Sequence, residues 1–174
     1  MTGQILDFIA AELSRYFSAN RKWKGIVSQV RVGQLVEQDG SPVSASDNSL
    51  LLSPVEVLTD PMAKNPAGFS RLGMPAQSLP LNMRVFIMAS ANLPANQTVE
   101  ALDAVTEVIR FFNDNPVFTR QTHPTLPSNT EKVAVQSEYQ EMAVSALIWN
   151  RLKIPYRPSA LFSLRFSLQF DAEK

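Results

Sequence analysis

Phe162-Ser163-Leu164-Arg165-Phe166-Ser167-Leu168-Gln169-Phe170 is the stretch that decides the fold. An apolar side chain stands at every second position, with Ser, Arg, Ser and Gln between. Two is the period of a β-strand, so the segment reads as a long strand with one apolar and one polar face. A helix would scatter those five apolar residues around its axis. A sheet with an apolar face must be covered, and the residues further upstream supply the cover.

Immediately before this strand, Tyr156-Arg157-Pro158-Ser159 forms a turn, and Asn150 to Pro155 links it to a helix through Tyr139, Met142, Ala143, Ala146 and Trp149. Ser137 and Gln140 have the spacing of a capping box for that helix, and Pro155 stops it. Val133 and Val135 alternate within Glu131–Gln136 and predict a short strand. The helix period appears over about 98–113 with Val99, Leu102, Val105, Ile109 and Phe112, ended by Asn113, Asn115 and Pro116. Val117 and Phe118 are expected to fold back on the core. Leu81 to Ser90 is apolar apart from Asn82, Arg84 and its terminal Ser, which marks a central strand covered on both faces. Leu50–Leu58 reads as another strand, with an edge or bulge forced by Pro54. Ile26–Val36 reads as a strand containing a possible bulge residue, Gly33. Ile5, Ile9, Leu13 and Phe17 form one stripe of an N-terminal helix over 3–19. These readings predict an α+β fold in a single domain spanning 1–174. Its mixed β-sheet has about four to five strands, and three helices pack largely on one face.

Thr59–Pro80 fits neither period. It carries Pro61, Pro66, Pro75 and Pro80 with Gly68 and Gly73, yet also Met62, Phe69, Leu72 and Met74. An irregular segment of this length inside a compact domain is often functional. It reads either as a mobile arm that docks on another chain or as an arm packed on its own domain.

Composition mostly excludes. The 174 residues suffice to bury a core without staples. Sixteen basic side chains balance sixteen acidic ones, so net charge points to neither nucleic acid nor an anionic membrane. Cysteine is absent, which removes disulfides, Cys-ligated metals and a thiol nucleophile, and suits a cytoplasmic setting. No apolar run reaches the roughly 20 residues of a membrane helix. Phosphate-binding, dinucleotide-binding and nucleophile-elbow motifs are missing. A cation site could draw on Asp39, Asp47 and Asn48, but the calcium-loop spacing is absent. His123, the only histidine, is followed by Pro124 and has no neighbouring carboxylate in sequence; a hydrolase would have to be centred on it. No catalytic residue, cofactor or metal is therefore expected. A separate possibility is a small-molecule or nucleotide-binding α+β domain that uses 59–80 as a lid.

The helix ending in Trp149, the short link, Tyr156-Arg157-Pro158-Ser159 and the terminal strand together resemble the C-terminal hallmark of the cap, or tail-terminator, family. These proteins belong to phage-tail-like contractile injection systems of the virulence-cassette type. Leu50–Glu56, the strand at Leu81–Met88 and the helix ending Phe111-Phe112-Asn113-Asp114-Asn115-Pro116-Val117-Phe118 follow the family's order. Pro54 departs from it, since a polar residue such as Asn is usual there. The resemblance implies a non-enzymatic structural cap: a six-fold homo-oligomeric ring at the baseplate-distal end, stopping growth of inner tube and sheath. Its implied partners are the inner-tube and sheath proteins, with no nucleic acid and no membrane. Its implied location is the cytoplasm during assembly and then the finished particle. Six globules of this size, each about 40 Å across, would leave a central hole of about 40 Å, which suits a ring on a tube. Candidate interaction residues are Trp149, Tyr156, Arg157, Met62, Phe69, Leu72 and Met74. For Trp149 and Tyr156 core packing is the plainer reading. Arg157 could pair with a carboxylate across a subunit boundary or cap the last helix carbonyls, and Pro158 shapes the turn.

Overall fold

The computed structural model describes residues 1–45, 47–59, 80–139 and 141–169, leaving aside the side chains of 142–145. The elements are α1 (Thr2–Ala19), β1 (Gln29–Val32), β2 (Ser49–Thr59), β3 (Leu81–Asn92), α2 (Thr98–Asp114), β4 (Val117–Thr119), β5 (Lys132–Glu138), α3 (Met142–Leu152) and β6 (Ser159–Leu168). Short 3-10 turns at Arg21–Trp23 and Ala95–Gln97 follow α1 and precede α2. The strands form one sheet in the order β1-β2-β3-β6-β5-β4. β1 runs parallel to β2 and the other neighbours are antiparallel, so the sheet is mixed as expected.

β6 lies in the middle, pairing with β3 from Leu81↔Leu168 to Ser90↔Ser159 and with β5 from Val133↔Phe166 to Glu138↔Leu161. Phe162, Leu164, Phe166 and Leu168 are buried on one face, as the alternation requires. Phe170 lies outside the described residues. On the same face β3 contributes Val85, Ile87, Ala89 and Ala91, and β2 contributes Leu50 and Leu52. α1 covers this face with Ile5, Ile9, Leu13 and Phe17, the stripe read from sequence. α2 lies beside it, and the Phe112 ring meets Phe162 at 4.7 Å. The Tyr16 hydroxyl ties the two helices together by donating to Glu107 Oε1 at 2.5 Å. α3 takes the opposite face, where a second cluster gathers Leu35, Val43, Leu51, Met88, Trp149 and Ile154. Two of the three helices thus share one face.

Several details depart from the sequence reading. The sixth strand is β4, where Phe118 folds back onto the core, fully buried, and its backbone pairs with Val133. β1 is only four residues long because Ile26 and Val27 close a turn onto the Trp23 carbonyl, aided by the positive φ of Gly25. α2 is rotated from the expected stripe. Ala101, Ala104, Val108 and Phe111 join Val105 and Phe112 in facing the sheet, while Val99 and Leu102 are exposed. The two alanines let the first turns approach the sheet closely, so the larger neighbours face outward. The capping box does not form: Ser137 is held in β5 opposite Phe162, and α3 starts only at Met142 without a side-chain cap.

Pro54 sits at a register shift between β2 and β3, the bulge its missing N–H demands. Pairing with β1 ends at Val32↔Leu52, followed by the Gly33 N–H to the Leu52 carbonyl. Beyond Pro54 no described strand pairs with the outer side of β2. Val55, Val57 and Leu58 there are 45, 52 and 40% exposed, and Leu81 across the ribbon is 39% exposed.

Phe162→Ala should cost about 3–5 kcal/mol, read as a lower denaturant midpoint at unchanged slope. Val57→Ala should stay within about 0.5 kcal/mol of wild type. Tyr16→Phe should cost about 1 kcal/mol near neutral pH. The Glu107 hydrogen bond, then burial, holds the Tyr16 phenol above the usual tyrosine range. That stabilisation is complete below the ordinary tyrosine pKa and is lost as pH rises through the raised one. Unfolding curves of the two proteins should accordingly converge at alkaline pH.

Candidate functional site

The segment between α3 and β6 is built by a helix stop, a buried anchor and a return to the sheet. α3 ends when Lys153 adopts φ 55°, and its N–H closes back on the Trp149 and Asn150 carbonyls at 3.1 and 3.3 Å. This left-handed position suits Gly better than Lys. Trp149, on the last turn, is 6% exposed among Leu35, Val43, Leu51, Met88 and Ile154. Tyr156 is 63% exposed and sets its ring edge-on to Trp149 at 5.5 Å. The pair is thus divided, Trp149 belonging to the core and Tyr156 to the surface.

Arg157 does not cap the helix, whose Trp149 and Asn150 carbonyls accept from the Lys153 backbone. Its Nη2 instead donates to the Val43 carbonyl at 2.8 Å. Its Nη1 is buried without a hydrogen-bond partner among the described residues. Burial pulls the guanidinium below the usual arginine value, and the nearby negative charge of Asp47 opposes this. The Pro158 carbonyl accepts from the Ala91 N–H at 3.0 Å, one step beyond Ser90↔Ser159, and so begins the central ladder.

The loop that Arg157 touches is organised by Asp47. Its Oδ2 accepts from Arg31 Nη2 at 3.1 Å and Gln29 Nε2 at 3.3 Å. Its Oδ1 accepts from Ser49 Oγ at 3.1 Å and Asn92 Nδ2 at 3.4 Å, and Asn92 Nδ2 also donates to the Ser44 carbonyl at 2.6 Å. Asp39 is spent on the backbone and hydroxyl of Ser41. These aspartates organise their own loop, and among the described residues no three His, Asp or Glu gather into a metal-ligating group. The sequence pattern did not show the Asp47 hub, since its partners are scattered over three segments.

His123 packs edge-on against Phe118 at 5.0 Å and Phe8 at 6.0 Å, with Nδ1 2.8 Å from the Thr122 hydroxyl. It lies at the rim of the aromatic core, with no carboxylate of the described residues in hydrogen-bonding contact. Met62, Phe69, Leu72 and Met74 lie outside the described residues. Two groups of exposed apolar side chains went unrecognised in the sequence: Val57, Leu58 and Leu81 on the β2–β3 ribbon, and Val99 and Leu102 on α2. Pro54 was the available signal for the first group. Ala101 and Ala104, small residues three apart, were the signal for the second.

In class, the molecule is a single α+β domain built on a mixed sheet. It belongs to the Pvc16 N-terminal domain family, whose model matches residues 4–173. No curated protein matches the chain. Among solved structures it is similar to the PVC sheath/tube terminator of an extracellular contractile injection system in the extended state. That match has a TM-score of 0.53 at 12% identity, over 92% of this chain and 57% of the other. It is also similar to the anti-feeding prophage cap, a tube terminating cap, with a TM-score of 0.52 at 10% identity over 91% and 55% of the two chains. The chain spans a little over half the length of both. Identities this low carry the fold, and the family match carries the membership.

Lys153→Gly should raise stability by about 0.5–1 kcal/mol, because glycine relieves the left-handed φ. Trp149→Ala should lower it by about 3–5 kcal/mol. Thermal or denaturant unfolding of the two variants would check both signs.

Proposed function

We propose that this protein is a structural cap that ends growth of the inner tube and contractile sheath of a phage-tail-like injection particle. It would do so as a six-fold homo-oligomeric ring at the baseplate-distal end, in contact with the tube and sheath proteins and with no catalytic step. Membership of the Pvc16 N-terminal domain family is the observation that carries this reading. The likeness in fold to a sheath/tube terminator and to a tube terminating cap supports it.

The distribution of exposed apolar side chains gives independent support. Among the described residues, Leu58 and Leu81 are exposed near one end of β3, and Leu102 and Tyr156 beside the other. A closed ring of identical subunits joins unlike surfaces, head to tail. The arm at 59–80 continues the first of these ends and would carry Met62, Phe69, Leu72 and Met74 to the tube or sheath. Trp149 acts from beneath, as the packed support of Tyr156, while Tyr156 and Arg157 face the partner. The subunit would be made in the cytoplasm and remain in the finished particle.

Host cells lacking this gene should yield overlong, ragged or absent sheathed tubes by electron microscopy, and complementation should restore a narrow length distribution. Particles of normal length with a normal distal end would overturn the reading. Deletion of 62–74 should leave cooperative unfolding intact yet broaden the length distribution. Arg157→Ala should fold and weaken attachment of the cap to particles, scored by its share in purified material.

A further inference from the structure

Five strands contribute one residue each to a single row on the sheet face away from α1 and α2. Leu58 pairs with Arg84, Arg84 with Arg165, Arg165 with Ala134, and Ala134 with Val117. Four strand spacings of about 4.8 Å make the row about 19 Å long. Its two ends are apolar, Leu58 and Val117, each 40% exposed. Its middle is cationic. Arg84 and Arg165 are direct cross-strand partners, and like charges so placed repel. Glu138 accepts from Arg84 Nη2 at 2.7 Å, while the Arg84 guanidinium lies over the Phe86 ring at 4.6 Å. Arg165 is exposed, and neither it nor Lys132 has an ion pair among the described residues. Both line a groove of about 350 Å³ with Asn82, Ser167 and Glu131, whose Oε1 accepts from Gln169 at 3.5 Å. α3 packs on this face around Met88, four residues along β3 from Arg84, or about 13 Å.

The outward side of α2 has the opposite character. Val99, Leu102, Asp103 and Thr106 follow one another at i, i+3, i+4 and i+7 and form an exposed stripe. Val99 is 70% exposed and Leu102 51%. The helix carries Glu100, Asp103, Glu107 and Asp114 against one cation, Arg110. Glu107 is held by Tyr16, and Arg110 lies within ion-pair distance of Glu107 and Asp114. Glu100 has no ion pair among the described residues, and Asp103 meets Lys22 through side chains that are both more than half exposed, a contact readily exchanged. Glu100 and Asp103 are three residues apart, about 4.5 Å along the helix axis. The strands that carry Arg84 and Arg165 are about 4.8 Å apart. The 17 residues of α2 extend about 25 Å, enough to cross the whole row.

Helix and row therefore match in sign, spacing and length. They lie on opposite faces of one sheet, so a copy cannot join its own two surfaces. We infer that α2 of one copy docks along the Leu58–Val117 row of the next, with Glu100 and Asp103 at the paired arginines and Val99 and Leu102 against the apolar members of the row. A helix laid on an uncovered sheet face completes a familiar layered packing. The contact joins unlike surfaces, which makes it heterologous and able to close a ring. It rests on the ring reading above for its setting, and on charge and spacing for its chemistry.

The natural chain has no cysteine, so introduced thiols report cleanly. Leu102→Cys and Ala134→Cys proteins, mixed at high concentration and treated with a short bis-maleimide, should give a cross-linked heterodimer on a denaturing gel. The double variant should give a ladder of linked copies. Gln4→Cys, exposed on the neighbouring helix α1, should give only background in place of Leu102→Cys. Arg165→Glu in the Ala134→Cys protein should cut the yield about tenfold or more, because it sets like charges against each other. It also places a carboxylate opposite Arg84, which the sheet accepts. Asp103→Arg in the Leu102→Cys protein should cut the yield similarly, and the two reversed proteins together should recover most of it.

Yield no higher than the Gln4 control, yield indifferent to the charge reversals, or reversals that fail to compensate would each overturn the inference. So would a cross-link that forms only after deletion of 62–74, since the chain's own arm would then hold the row. The same cysteine pair examined in purified particles separates this contact from the capping role. Normal particle lengths without the cross-link would refute the contact alone. Normal lengths in cells lacking the gene would refute the capping role, and the solution cross-link would then decide the contact by itself.

Discussion

The structure depends on the antiparallel pairing of β3 with β6, ten residues long from Leu81↔Leu168 to Ser90↔Ser159. These two strands occupy the middle of the six, and each carries a neighbour on its other side. A strand paired along both edges has its pleat fixed, so the direction of every side chain is fixed as well. Phe162, Leu164 and Phe166 must then share a face with Val85 and Ile87, and α1 and α2 can bury against nothing else of comparable area. A one-residue slip would turn Arg165 and Arg84 into that core, which the packing cannot accept.

The turn at 156–159 is where this constraint meets the opposite face. Trp149 must be buried for α3 to hold its place, and the Pro158 carbonyl must reach the Ala91 N–H for the ladder to begin. Four residues separate the buried Ile154 from Ser159, the first residue of the ladder, and within them the chain has to turn and satisfy its polar groups. Pro155 and Pro158 reduce the donors that need partners. Arg157 bridges to Val43, and through that loop to the Asp47 hub. Its Nη1 is buried where the chain turns and has no hydrogen-bond partner among the described residues.

What could be read from the sequence follows from how local its cause is. The period-two run of 162–168 and the i, i+4 stripe of α1 are set by one face and one partner surface, so the residues alone displayed them. Pro54 announced its bulge because a missing N–H is a local property. The rotation of α2 was hidden because Val99 and Leu102 complete a regular stripe; only the close approach allowed by Ala101 and Ala104 turns them outward. The capping box failed for a similar reason, since pairing of Ser137 with β6 outweighs a local hydrogen bond. At the site, the Trp149 to Ser159 hallmark was visible as a motif. The burial of Trp149, the exposure of Tyr156 and the orphaned nitrogen of Arg157 depend on segments more than a hundred residues away.

This separation also bears on where such a domain can tolerate substitution. The large core lies between α1, α2 and one sheet face, and it contains none of the candidate contact residues that are described except at its margins. Exposed apolar side chains, Leu58, Leu81, Leu102 and Tyr156 among them, lie outside it. Substitution there removes little buried area and therefore costs little stability. The fold is shared with solved structures at 12 and 10% identity across more than nine-tenths of this chain. The pleat of β3 and β6 has to be kept, whereas exposed side chains outside the core can change at little cost in stability.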